Sequence, residues 1–139
     1  MRKFLIATHG QLAKGIKSSL DIIVGPMENI FLIEAYVTEN RPIEDDVRVI
    51  MQKLNADDEL IIFSDLMGGS ITNQILRTVS GENVHIVSGF NLPLLLDVLL
   101  ADGDTPVVEV IENAIINAKD QIVYVNKLIT SVKEDSIDD

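Results

Sequence analysis

The sequence predicts one doubly wound α/β domain: a single, mostly parallel sheet of strand order 2-1-3-4 flanked by helices. Short, continuously apolar runs alternate with longer segments whose apolar residues recur at helical spacing, the pattern of βα units wound around a buried sheet. The chain has 139 residues, 47% of them hydrophobic, enough to build one core without a disulfide or a metal. No repeat or low-complexity tract breaks the chain, so residues 1–130 are expected to form the domain and the charged stretch 131–139 a flexible tail.

The elements follow in order. Strands are expected at 3–8, 30–36, 59–64 and 84–88, each too short and too evenly apolar for a surface helix. Between them Leu12, Ile16, Leu20 and Ile23 form one helical stripe, and Ile43, Val47, Ile50, Met51 and Leu54 form another. Glu44, Asp45 and Asp46 fall in the first turn of that second helix, where the helix dipole favours acids and where a solvated face is their plain role. Ile71, Ile75 and Val79 predict a third helix over 70–80, with Gly81 as its stop. A short apolar helix is expected at 92–101, and Thr105-Pro106 opens another in which Ile111, Ala114, Ile115 and Ala118 share a face. The run 121–128 reads as an edge strand, antiparallel or paired with another subunit, because no helix follows to cover it. Met27, Met51 and Met67 are expected to fill gaps, with Met67 also walling the site described below.

Composition excludes several functions. Cysteine is absent, which removes disulfides, thiol nucleophiles and thiolate zinc sites, and two histidines cannot build a three-histidine centre. A net charge of −11 opposes binding to nucleic acid or anionic membrane and favours partners with a basic docking face. No apolar run approaches the roughly 18 to 20 residues of a membrane span, and the run 4–7 behind Arg2 and Lys3 is too short for a secretory leader. A cytoplasmic location is the expectation.

In an open α/β sheet, ligands bind beyond the carboxyl ends of strands, where the winding direction reverses. That rule selects Thr8-His9-Gly10, Asp65-Leu66-Met67-Gly68-Gly69-Ser70 and Gly89-Phe90-Asn91-Leu92-Pro93. With strands one and three adjacent, His9 and Asp65 converge. A neutral histidine attacks through one ring nitrogen while the other carries its proton, and a carboxylate accepting that N–H fixes tautomer and orientation. Gly68, Gly69 and Ser70 at a helix start add backbone amides, a hydroxyl and the positive end of the dipole, all suited to phosphate oxygens. A lone histidine after a strand is more often a satisfied polar residue than a nucleophile, and Asp-x-x-Gly-Gly-Ser alone more often only opens a helix. Their conjunction at one sheet edge points to a phosphohistidine site. His85, inside strand four without acidic or glycine-rich neighbours, is read as structural.

With these three motifs, together with Leu12-Ala13 and Gly15, Phe63-Ser64, Asn73 and Leu94-Leu95, nearly the whole chain resembles the mannose-type IIA domains of the bacterial phosphoenolpyruvate-dependent sugar phosphotransferase system. The resemblance implies a relay in which the phosphocarrier protein HPr donates a phosphoryl group to His9, Asp65 orients the ring, and Gly68, Gly69 and Ser70 hold the phosphoryl oxygens. His9 then passes the group to a IIB component, a separate chain, for sugar uptake through a membrane permease that defines the sugar. It further implies a homodimer exchanging the C-terminal strand, and no metal or nucleotide cofactor. Two readings stand beside it: a phosphocarrier subunit serving dihydroxyacetone kinase, and a non-catalytic regulatory module that senses phosphorylation. A histidine phosphatase, which places Arg-His-Gly after its first strand, fits less well, since Thr8 stands in place of the arginine.

Overall fold

A computed structural model describes residues 1–37, 41–79 and 81–130; the expected tail 131–139 lies outside the described residues. The elements are β1 (Arg2–His9), α1 (Leu12–Val24), β2 (Ile30–Ala35), α2 (Glu44–Gln52), β3 (Glu59–Ser64), α3 (Ser70–Thr78), β4 (Val84–Ser88), α4 (Leu92–Leu99) and α5 (Val107–Asp120). The sheet has the order β2-β1-β3-β4, and every pairing in it is parallel. The predicted order is therefore the observed one. β1 is central: Ala7 lies opposite Ile33 of β2 on one side and Ser64 of β3 on the other.

The backbone forms two compact units, Met1–Leu92 and a second that begins at Pro93. In the first, side chains alternate across β1. Leu5 and Ala7 join Ile33, Leu60 and Ile62 beneath Ile43, Val47 and Ile50 of the α2 segment and Ile71 and Ile75 of α3. Phe4, Ile6 and Thr8 point to the opposite face, where the Thr8 hydroxyl accepts the Ala13 amide proton at 2.8 Å and anchors α1. That anchor sets the rotation of α1 and shifts its buried line from the predicted stripe: Ala13 and Leu20 are buried, whereas Leu12 and Ile23 are about half exposed. Arg77 of α3 ties to Glu44 at 3.0 Å, so one of the three first-turn acids also links α2 to α3. At the opposite end of the sheet from the carboxyl termini, buried Asp58 accepts Lys3 at 2.7 Å and the Asn55 amide at 2.8 Å.

α3 ends at Thr78, earlier than the predicted 80, because β-branched Val79 already adopts extended angles (φ −94°, ψ 146°) on the way to β4. In the second unit, α4 buries Leu94, Leu95, Val98 and Leu99, and α5 buries Val107, Val110, Ala114 and Ala118. The expected strand at 121–128 is not formed. Residues 122–124 are irregular and 125–130 are helical, with the Lys127 and Leu128 amides donating to the Tyr124 carbonyl. A strand needs a second backbone, whereas a helix closes its hydrogen bonds within the segment, and a single chain supplies only the latter here. Among the described residues no helix is long and apolar enough to cross a membrane.

Candidate active site

His9 is the last residue of β1, and the alternation that buries Leu5 and Ala7 turns it toward the α3 side. Gly10 follows at φ +58°, a left-handed turn at no steric cost for glycine, and its amide donates to the Ala35 carbonyl at 2.9 Å. The chain thus leaves the sheet abruptly and the imidazole stays at the strand's end, 40% exposed.

Asp65 is the first residue after β3, the neighbouring strand. One of its oxygens, Oδ2, accepts both the His9 backbone N–H at 2.8 Å and the His9 Nδ1 at 2.9 Å. With Nδ1 donating to a carboxylate, Nε2 carries the lone pair. The other oxygen, Oδ1, is buried without a hydrogen-bond partner among the described residues. Burial pushes the Asp65 carboxyl up, but the hydrogen bonds from the His9 backbone and ring outweigh it and hold the group below the usual carboxylate value. Asp65 is therefore ionised at neutral pH.

The loop from Asp65 to Ser70 is pinned from beneath. Thr72 donates its hydroxyl proton to the Leu66 carbonyl at 2.7 Å, and its oxygen lies 2.8 Å from the Ser64 hydroxyl, which donates to Ser88 Oγ at 3.0 Å. Gly69 caps α3 without a side chain. A Cβ there would stand 3.4 Å from Leu66 Cβ and 3.7 Å from His9 Cε1, so the α3 N-terminus runs directly beside the imidazole. The first amides of a helix have no partner within it, and those of α3 open at this edge. Leu66 and Met67 are largely exposed, so Met67 is no gap filler: it stands on the rim of the loop, while Met27 and Met51 are half-buried.

The structure brings His9, Asp65, Gly69 and Ser70 together, and places Gly68 in the same turn at φ +75°. The third predicted segment starts alongside, with the Gly89 amide donating to the Ser64 carbonyl at 2.9 Å and Phe90 edge-on to Phe63. His85 lies within β4 opposite Ile61. Sequence reasoning missed Tyr36, whose ring centroid is 5.8 Å from that of His9 and whose hydroxyl is 2.9 Å from Ser70 Oγ. It also missed Gln74, Thr72 and Ser88. The available signal was position, since Tyr36 follows β2 as Asp65 follows β3. Among the described residues no group of three His, Cys, Asp or Glu side chains could hold a metal ion.

Residues 3–115 match the family described as the PTS system fructose IIA component, EIIA-man. The chain is 28% identical over 104 residues to the mannose-specific EIIAB component of the Escherichia coli phosphotransferase system, covering 73% of this chain and 32% of that protein. It thus spans about a third of the length of that curated relative. Its fold matches a Klebsiella pneumoniae crystal structure, provisionally described as a phosphoenolpyruvate-dependent sugar phosphotransferase system permease, at a TM-score of 0.85 and 34% identity over 92% of this chain and 93% of that one. The component EIIA from Streptococcus agalactiae gives a TM-score of 0.75 and 27% identity over 91% of this chain and 99% of that one. The chain belongs to the mannose-type IIA family, a phosphotransferase component of the bacterial sugar phosphotransferase system.

Proposed function

We propose that the chain is a phosphoryl carrier that accepts phosphate from phospho-HPr on His9 and passes it to a IIB component on another chain, in the cytoplasm, for coupled sugar uptake and phosphorylation by a membrane permease complex. The observation that carries this reading is the shared Asp65 oxygen, which engages Nδ1 and leaves Nε2 as the nucleophile on a partly exposed ring. The Nε2 lone pair attacks phosphorus, the bond from phosphorus to the donor breaks, and the donor departs with that electron pair. Positive charge developing on the imidazole is met by the Asp65 carboxylate across Nδ1–H. Gly68, Gly69, Ser70 and the first amides of α3 receive the phosphoryl oxygens. Transfer to IIB repeats the substitution in the other direction: a IIB nucleophile forms the new bond and the phosphorus–Nε2 bond breaks.

The same reading includes a homodimer. Ile122 and Tyr124 are 77% and 72% exposed, and Val125, Leu128 and Ile129 are also open to solvent, a run of apolar surface that a second subunit would cover.

The deciding experiment supplies phosphoenolpyruvate, enzyme I and HPr to the purified chain. His9→Ala is expected to abolish acid-labile label, and His85→Ala to retain it. Acid-labile label persisting in His9→Ala would overturn the assignment, since a phosphoramidate on the wrong histidine has the same lability while a serine ester does not.

A further inference from the structure

We propose that Tyr36 is a positioning residue which fixes the direction of the Ser70 hydroxyl, so that the serine proton points at the phosphoryl group on His9. The inference rests on the reading of His9 as the carrier. It starts from Gln74, a buried amide with both ends engaged. The Ile43 backbone N–H donates to Gln74 Oε1 at 2.7 Å, which settles which end of the amide is oxygen. Gln74 Nε2 therefore faces Tyr36 and donates to its phenol oxygen at 2.9 Å. With that oxygen receiving a proton from Gln74, the phenol proton is free for Ser70 Oγ at 2.9 Å. The serine oxygen then accepts, and its own proton is left over.

Ser70 is exposed and opens α3, next to the glycine that abuts the His9 ring. Its remaining proton has solvent or an anion at that edge as its acceptor. The chain Ile43, Gln74, Tyr36, Ser70 is thus a directed series of donors that ends in an O–H aimed into the phosphoryl position. Tyr36 holds this place in a left-handed conformation, φ +63°, which non-glycine residues seldom adopt. Strain of that kind persists where surrounding contacts over-determine it, here at the end of β2 with the ring beside His9.

The test measures the equilibrium ratio of phosphorylated to free protein against the HPr donor for the wild type, Tyr36→Phe, Ser70→Ala and the double variant. Thermal melts and the 31P titration midpoint of the bound phosphoryl group are recorded alongside. Tyr36→Phe keeps the ring and is expected to lower the ratio about fivefold, the scale of one weakened hydrogen bond to a charged group, and to raise the 31P midpoint because the dianion loses a donor. In the Ser70→Ala background the same change is expected to add nothing, because Tyr36 acts through Ser70. Gln74→Glu, whose carboxylate takes the phenol proton and reverses the chain, is expected to reproduce Tyr36→Phe while leaving Tyr36 intact. Wild-type ratio and midpoint in Tyr36→Phe, or full additivity with Ser70→Ala, would overturn the inference while label on His9 still upheld the carrier reading. Absence of label in the wild type would overturn both.

Discussion

Asp65→Asn separates the charge of this side chain from its geometry. A single oxygen accepts two protons from His9, at 2.8 Å from the backbone and 2.9 Å from the ring. The backbone N–H only donates, so the asparagine carbonyl must take the place of Oδ2, and the ring keeps an acceptor at Nδ1 and hence its tautomer. The asparagine NH2 then falls where Oδ1 is already buried without a partner, so one unsatisfied group replaces another and stability is expected to change by no more than about 1 kcal/mol. What is lost is the charge. A hydrogen bond to an ionised group contributes about 1.5–3 kcal/mol and a neutral one about 0.5–1.5. The transition state, in which the imidazole becomes positive, therefore loses about 1.4 kcal/mol, or about tenfold in rate. Rapid-quench transfer of labelled phosphate from phospho-HPr, with a thermal melt of the same preparation, measures both numbers. An unchanged transfer rate in a folded Asp65→Asn, or alkali-labile label on the aspartate of the wild type, would refute the division of roles between the two residues.

Gly69→Ala should fold with a loss of about 1 kcal/mol or less, since its φ of −75° suits any residue, yet the new methyl lies 3.7 Å from His9 Cε1 and should slow transfer several-fold in the quench assay. Asp58, held down to about 2 chiefly by the Lys3 hydrogen bond, should contribute stability that is complete above its ordinary value of 3.8 and lost as pH falls toward 2. Asp58→Asn should flatten that acid limb in pH-dependent melts, and an unaltered limb would discount the pair. Truncation after Asp120 should yield monomers or insoluble protein, while light scattering of the full chain should give about twice the 15.3 kDa chain mass. A monodisperse full-length monomer at micromolar concentration would count against the dimer.

The sheet was legible because its central strands, β1 and β3, are buried on both faces and so read as unbroken apolar runs such as Leu60-Ile61-Ile62-Phe63. His9 and Asp65 were legible because strand order alone brings the ends of β1 and β3 together. Tyr36 and Gln74 were not, since a hydrogen bond spanning 38 residues depends on the rotation of α3 and on one left-handed residue, neither of which leaves a local pattern. The segment 121–128 misled for a different reason. Its β-branched and aromatic residues favour a strand only where a neighbouring backbone exists, and propensity carries no information about whether one does.

The Asp65 oxygen that grips His9 at two points clamps the backbone and the ring to one atom, leaving the imidazole little freedom to swing. In the proposed relay the donor must therefore approach Nε2 along the same line that the acceptor later uses, because the ring cannot turn to present the phosphoryl group elsewhere. HPr and IIB then compete for one berth and never occupy it together. Exchange through such a berth is ping-pong in its kinetics, with parallel double-reciprocal lines, and an excess of either partner inhibits the other. The direction of flow is set by the relative phosphorylation of the two pools, and the carrier serves as a reversible toll-free junction between them.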